Sequence, residues 1–396
     1  MVRRHGPRLS PRIVVGVVDD TSPATICGGR DSSSLSAGNA GNSATLYGYG
    51  GDSEGGRETM TVRHNDRVWF PKVVLTVLVL IIPDFSIAQT VPPEPRAPEV
   101  PANSKLQFTG GISGWLLSQG QTKWSHDFSR LTYKDDSTNI VELSGKAAFS
   151  KRWFARGDFG YGMMGNGTLV DDDFSSANGP LESRTTSNIT GNNLWYVNGD
   201  VGATLVHFPN QRGTMGFFTG IQYWRQQHEA SGVVQTVCNP VTPLCNPANT
   251  GRDLAPGQKA ITNTTTWVSW RLGVEADYHV TRKFSLEGKF AFKPVTSLSN
   301  DDIHHLRQQA GATVPALQQD PSFRMTGTGI GADVDMGANY MVTSRFSINL
   351  GYRFWWNHVA NGKVTVYPVG AAASSINLNE FQTYRHGMTL GVRYIF

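Results

Sequence analysis

Apolar and polar residues alternate along most of the chain beyond residue 105. In "RFSINLGYRFWW", every second residue from Phe346 to Phe354 is apolar, and the residues between them are polar or glycine. In "WRLGVEADYHV", the same alternation runs from Trp270 to Val280. Since successive side chains of a β-strand point to opposite faces of its sheet, this period of two predicts strands with one apolar and one polar face.

Alternation of this kind predicts about ten strands in total. They cover residues 106–116, 141–149, 153–163, 195–205, 215–223, 270–280, 284–292, 330–342, 345–356 and 388–396. Short polar turns follow every second strand, and the other connections are long and polar. The long connections predict loops over residues 117–130, 164–193, 226–264, 295–323 and 357–379. Short turns at one end and long loops at the other are typical of bacterial outer-membrane barrels.

The predicted fold is therefore an all-β, ten-stranded antiparallel transmembrane β-barrel over residues 105–396, with short periplasmic turns and long extracellular loops. The chain ends in "MTLGVRYIF", which resembles the recognition signal of barrels assembled into the bacterial outer membrane. Trp355 and Trp356 are predicted to join an interfacial aromatic girdle. A soluble β-sandwich also alternates, but it does not explain the long strands, the alternating loop lengths and the charged inward face, which needs a wet lumen.

The composition excludes little and is compatible with a barrel. A formal net charge of +4 over 396 residues gives no argument for a nucleic-acid partner. No apolar run reaches the ~18 residues of a membrane-spanning helix. The mean hydropathy of −0.29 is low, as expected for strands that alternate apolar and polar residues.

The segment at 60–88 has the order of residues that is typical of a secretory signal peptide. Basic residues precede an apolar run at 73–82, and the small residues Ser86 and Ala88 follow it. We expect cleavage after Ala88, which would remove residues 1–88 and leave the Pro-rich segment 89–104 as an extended lead-in to the barrel. The stretch before the signal is either a disordered extension or, as we favour, an upstream segment that precedes a true translation start at Met60.

Two of the three cysteines lie close together in "VCNPVTPLCNP". Cys238 and Cys245 are predicted to form a disulfide if the compartment is oxidising. Metal binding is less favoured, because no His or Cys of matching spacing stands beside them. The third, Cys27, lies in the upstream segment.

Two acidic clusters, "LVDDDF" and "SNDDIHHL", follow the outer ends of two predicted strands. In extended chain, residues i and i+2 face the same side, so Asp171 and Asp173 can face one point, and Asp302 and His304 another. Two close carboxylates can share a proton, and a carboxylate beside a histidine orients the imidazole as a general base. Such pairs could hold a water molecule for hydrolysis without a metal or a covalent nucleophile. A solvated loop and a calcium site remain alternatives.

The segment from "SRLTYKDD" to "LVDDDF" resembles the omptin family of outer-membrane proteases, as do "SLSNDDIHHL" and the final "LGVRYIF". The similarity extends over most of residues 106–396. It implies that His304 is the general base, that Asp302 orients it, and that Asp171 and Asp173 position the water and stabilise charge in the tetrahedral intermediate.

The chain departs from the omptin pattern at its substrate pocket. Trp124 and Asn300 stand where the family has two acids that receive a basic side chain, so this resemblance does not imply cleavage next to Lys or Arg. Omptins require lipopolysaccharide, and Arg225 matches one of its basic contacts, whereas Ile221 and Tyr223 do not match the neighbouring polar ones.

Three functions are therefore considered. The first is an omptin-like aspartic-type endopeptidase, a monomer exported to the outer membrane, with a peptide or protein substrate, lipopolysaccharide as its lipid partner and no other cofactor or metal. The second is a non-catalytic barrel that serves as an adhesin or structural surface protein. A diffusion pore ranks third, because about ten strands leave a lumen largely filled by side chains.

Overall fold

The computed structural model describes residues 106–149, 152–177, 179–240, 245–308 and 318–396, without the side chain of residue 135. The predicted signal peptide, the segment before it and the whole of the Pro-rich lead-in lie outside these residues. Within them, no helix is long and apolar enough to cross a membrane.

The described residues form one sheet of thirteen antiparallel strands. The strands are β1 (Gln107–His126), β2 (Ser129–Ala148), β3 (Trp153–Met164), β4 (Gly167–Phe174), β5 (Leu181–His207), β6 (Gly213–Cys238), β7 (Lys259–His279), β8 (Phe284–His304), β9 (Gln318–Met341), β10 (Phe346–Val359), β11 (Gly362–Pro368), β12 (Ser374–Leu378) and β13 (Glu380–Ile395). A single helical turn, His305–Gln308, follows β8.

Ten of these strands close into a ring, which confirms the predicted ten-stranded barrel. β13 pairs with both β10 and β1, and the remaining ring strands pair with their neighbours in sequence apart from β4. β4 continues the line of β3 between β2 and β5, while β11 and β12 form a hairpin against β9. Short turns at 208–212, 280–283 and 342–345 mark one end of the barrel, and we call the opposite end the rim.

The predicted loop boundaries need correction, because the strands continue into the rim. β1 runs on to His126 and β2 begins at Ser129, so the loop predicted over 117–130 is mostly strand. The same holds at 295–323, where β8 continues to His304 and β9 begins at Gln318. Many rim strands carry polar residues on both faces. Because backbone hydrogen bonds between strands do not need apolar side chains, these strands continue beyond the point at which apolar and polar residues stop alternating.

An apolar belt surrounds the barrel below the rim. It contains exposed side chains from neighbouring strands, among them Ile112, Val141, Phe159, Val201, Phe217, Leu286, Met336, Leu350 and Leu390. This outward belt is the surface that a transmembrane barrel presents to lipid.

The lumen is filled by aromatic side chains and ion pairs. Trp355, which we predicted in an outer girdle, points inward because it follows Phe354 on the opposite face of β10. Its ring makes edge-on contacts with Trp115, Tyr196 and Trp224, at centroid distances of 5.2, 4.6 and 5.7 Å. A lumen filled in this way has the core of a closed barrel, in keeping with its strand number.

Candidate active site

β4 carries the three consecutive aspartates of the first cluster along the wall of the rim. Asp171 pairs in register with Leu131 of β2, whose side chain is buried inside the barrel. Asp173, two residues on, therefore shares the inner face, as the spacing predicts. These residues lie on a strand, which corrects their predicted position in a loop.

Asp172 faces outward and is compensated by two arginines. It stands between Arg130 and Arg184 in the register of β2, β4 and β5. Arg184 Nε donates to Asp172 Oδ1 at 2.5 Å, and Arg130 Nη2 donates to Oδ2 at 2.7 Å. Asp172 thus forms ion pairs with Arg130 and Arg184 on the outer face of the sheet and is not part of the inner cluster.

The inner pair, Asp171 and Asp173, favours a bound proton. Burial, followed by the charge of Asp173, raises the pKa of Asp171 well above its ordinary value of 3.8. Burial also raises the pKa of Asp173, although Arg307 and His304 oppose that rise. Two neighbouring, partly buried carboxylates therefore hold a proton at pH values at which an exposed aspartate is ionised.

The end of β8 carries the second pair. The Asp302 carboxylate is fully buried, and its Oδ2 atom lies 3.5 Å from His304 Nε2. Among the described residues, neither Asp302 oxygen nor His304 Nε2 makes a hydrogen bond of ordinary geometry. The imidazole packs edge-on against Phe323 at 5.0 Å, and the His304 backbone N–H donates to Ser322 Oγ at 2.9 Å. The backbone and ring of His304 are thus fixed, while the Asp302 oxygens and His304 Nε2 can still bond to a further molecule.

The two pairs lie close together on the inner side of the rim, and we call the region between them the cleft. The Asp302 charge contributes to the raised pKa of Asp171, and His304 lowers that of Asp173, so each pair lies in the field of the other. Tyr133 of β2 lies close to both pairs. Burial, followed by the charges of Asp302 and Asp171, raises the pKa of its phenol well above 10.0, so the hydroxyl remains a proton donor.

Tyr133 and Arg307 were not among the residues predicted from sequence. Tyr133 lies two residues from Leu131 on the same inward face of β2, but a register shift between Asp136 and Tyr133 changes which residues face inward, so extending the alternation from the predicted strand would not have identified it. Arg307 had no sequence signal either, because its approach to the aspartates depends on the helical turn that ends β8.

The two predicted pocket residues lie on the inner wall beside these pairs and give it a neutral lining. Trp124 is almost completely buried, with its ring 6.3 Å from that of Phe323 and 5.8 Å from that of His126. Burial lowers the pKa of His126 to about 4, so this ring is uncharged at neutral pH. The Asn300 amide donates to Asn263 Oδ1 at 2.9 Å. The wall offers aromatic faces and amides to a substrate side chain.

Arg225 lies on the outer surface of β6. Its guanidinium donates to Asn193 Oδ1 at 3.3 Å and to Gln227 Oε1 at 3.1 Å. The neighbouring rings of Trp195 and Tyr223 stack with their centroids 4.7 Å apart. A cation beside a stacked aromatic pair suits the level at which a membrane protein meets lipid headgroups.

The predicted disulfide lies at the end of β6. Cys238 and Cys245 are bonded in the structure. Cys245 Sγ lies 3.7 Å from the carbonyl oxygen of Glu182, which also accepts a hydrogen bond from the Asn239 N–H at 2.7 Å. The disulfide loop is thereby attached to the start of β5, next to the strand that carries Asp171.

Comparison with known proteins gives a match in structure alone. No family model matches the chain, and no curated protein does. The outer membrane protease OmpT from Escherichia coli has a similar structure, with a TM-score of 0.57 and 18% identity over 73% of this chain and 97% of that one. The translocator domain of the autotransporter NalP from Neisseria meningitidis matches with a TM-score of 0.30 and 8% identity, over 74% and 88% of the two chains. The chain therefore has an omptin-like outer-membrane barrel fold.

Proposed function

We propose that this chain is an omptin-like endopeptidase of the bacterial outer membrane, with its site at the extracellular rim. The observation that carries the proposal is the pair of neighbouring clusters, Asp171 with Asp173 and Asp302 with His304. One cluster holds a proton, and the other presents a buried carboxylate and an imidazole nitrogen without hydrogen bonds among the described residues. Buried polar atoms left in this state are costly in a fold and are typical of sites that bind a further molecule.

The chemistry begins with a water molecule between the clusters. His304 removes a proton from the water as its oxygen bonds to the peptide carbonyl carbon. Asp302 orients the imidazole and stabilises the imidazolium. The proton shared by Asp171 and Asp173, with the Tyr133 hydroxyl, stabilises the negative oxygen of the tetrahedral intermediate. Collapse breaks the C–N bond, and His304 returns its proton to the departing amine.

The wall formed by Trp124 and Asn300 favours a neutral or aromatic side chain next to the cleaved bond. A lysine or arginine entering this wall would lose water and gain no carboxylate from either residue, which costs several kcal/mol. Lipopolysaccharide is the proposed lipid partner, contacted by Arg225 on the outer surface. The neutral wall separates the chain from a typical omptin, whereas the lipid partner is one that omptins share.

The second candidate is a non-catalytic surface barrel. It is favoured by the loss of both acids of the family pocket, since such a loss is expected where substrate binding is no longer selected. The experiment that decides between them uses protein purified from bacterial outer membranes with lipopolysaccharide. Mixed peptides are incubated with it in the presence of a metal chelator, and new amino termini are identified by mass spectrometry. The endopeptidase proposal requires cleavage; an intact peptide mixture supports the surface protein.

A further inference from the structure

A buried carboxylate lies beneath the proposed active site, and both of its oxygens are occupied. Asp136 Oδ1 accepts a hydrogen bond from Arg385 Nη2 at 2.5 Å, and Oδ2 lies 2.7 Å from His228 Nε2. All three side chains are buried, with no more than 1% exposure. Asp136 is thus an acid inside the barrel whose charge is neutralised by the chain itself.

A continuous column of side chains connects this carboxylate to the cleft. The His228 ring stacks on Tyr133 with centroids 4.9 Å apart, and Tyr133 lies close to both proposed catalytic pairs. Arg385 pairs in register with Gly120, four residues along β1 from Trp124 on the same inner face. Gly120 leaves room for this ion pair, because a Cβ atom there would overlap both the Asp136 carboxylate and the Arg385 guanidinium and displace them.

We propose that Arg385 is a specificity-determining residue, because its guanidinium occupies the buried carboxylate that would otherwise receive a basic substrate side chain. The wild-type cleft then accepts a neutral side chain next to the cleaved bond. As a statement about substrates, this rests on the proposed endopeptidase function. The presence of a cation site at Asp136 is independent of that function and can be tested by binding alone.

Removal of the Arg385 side chain unmasks the site. The Arg385→Ala variant keeps Asp136 and opens the space of a guanidinium group beside it. A buried carboxylate that has lost its arginine and keeps only His228 is unfavourable, so an external cation of the same shape should bind there. Ethylguanidinium is the probe, because its head group reproduces that of arginine and its short stem replaces the deleted atoms.

The binding experiment uses the full-length protein and its thermal midpoint, read from heat-modifiable migration on a gel. Millimolar ethylguanidinium is expected to raise the midpoint of Arg385→Ala by several degrees. It should leave the wild type and the double variant Asp136→Asn/Arg385→Ala unchanged, and ethylammonium should act less strongly. If Arg385→Ala does not assemble unaided, the yield of assembled barrel with and without ethylguanidinium replaces the midpoint. Equal responses of the single and double variants would overturn the proposal.

The peptide experiment separates this proposal from the proposed function. Arg385→Ala is expected to gain at least tenfold in cleavage after lysine or arginine relative to phenylalanine, and the double variant is not. Rescue by ethylguanidinium without cleavage by any variant would retain the cation site and reject the endopeptidase. Cleavage by the wild type, with neither rescue nor altered preference in Arg385→Ala, would reject the role of Arg385 and retain the endopeptidase.

Discussion

The carboxylate of Asp302 lies 3.5 Å from His304 Nε2, at the end of a strand that buries both side chains almost completely. The facing polar atoms make no hydrogen bond of ordinary geometry among the described residues. Folding alone gives no reason to keep a carboxylate and an imidazole in this state, because desolvation of each is unfavourable. The pair is therefore where we expect substitutions to separate activity from stability.

Replacing His304 by alanine should abolish most of the activity while the barrel still folds. Loss of a general base typically lowers the rate by about 10²- to 10⁴-fold. The matched control is His305→Ala, since His305 is the adjacent histidine and bonds to Thr262 Oγ1 at 2.9 Å, outside the proposed machinery. Rates are measured on one cleaved peptide, and folding is checked by heat-modifiable migration. Equal rates in the two variants would contradict the assignment.

Asp171→Asn and Asp172→Asn should have opposite effects, although the residues are adjacent. Asp171→Asn removes a proton-sharing carboxylate, so activity should fall about 10²-fold or more, with stability unchanged or raised because a buried repulsion is lost. Asp172→Asn weakens two ion pairs between an almost fully covered carboxylate and half-exposed arginines and should cost roughly 1 to 3 kcal/mol, with activity largely retained. Peptide cleavage and urea unfolding measure the two effects. A destabilised Asp171→Asn with normal activity would indicate that we have exchanged their roles.

The raised pKa values of Asp171 and Asp173 predict that the rim becomes less stable as the pH rises. In the native state this pair keeps a proton above pH 3.8, the ordinary value, whereas the unfolded chain releases it. Its stabilising contribution is complete below that value and is lost as the pH rises through the raised native pKa. Thermal midpoints measured over this range should fall in the wild type and fall less in Asp171→Asn.

His126 acts in the opposite direction and is measured separately. Its native pKa is lowered from 6.5 to about 4, so the unfolded chain binds a proton between these values and the folded one does not. Stability should therefore decline as the pH falls from 6.5 towards 4. His126→Gln should remove this decline and leave the Asp171-dependent slope in place; an unchanged decline would place its origin in another group.

The mature protein should contain no free thiol. Cleavage after Ala88 would remove Cys27, and Cys238 and Cys245 are bonded to each other. Labelling of denatured, unreduced protein from outer membranes should find no thiol, and labelling after reduction should find two. One thiol before reduction and three after it would show that the upstream segment is retained.

The sequence predicted the barrel well where one face of each strand is apolar. Alternation near Leu350 and Trp270 identified the belt, but it did not reveal that β1 and β8 continue into the rim, since polar residues such as Asn300 are as compatible with a loop as with a strand. Spacing by two correctly placed Asp171 and Asp173 on one face because that rule needs only local extended backbone.

The remainder of the site depends on contacts that spacing does not encode. Asp136 of β2 and Arg385 of β13 are separated by 249 residues. They meet because β1 pairs with both strands and places Gly120 opposite each residue. Tyr133 approaches the two proposed catalytic pairs from a strand segment that carried no apolar alternation. Trp355 was misassigned because a run of three aromatic residues leaves the choice of inward face to the register of β10 against its neighbours.

The most direct test compares two peptides that differ only at the residue before the cleaved bond, phenylalanine in one and arginine in the other. The kcat/KM of each is measured for the wild type and for the double variant Asp171→Asn/His304→Ala, with lipopolysaccharide present. We predict that the wild type cleaves the phenylalanine peptide at least tenfold faster and that the double variant cleaves neither. Equal cleavage by the double variant, or a strict requirement for arginine in the wild type, would contradict the proposed site and its neutral wall.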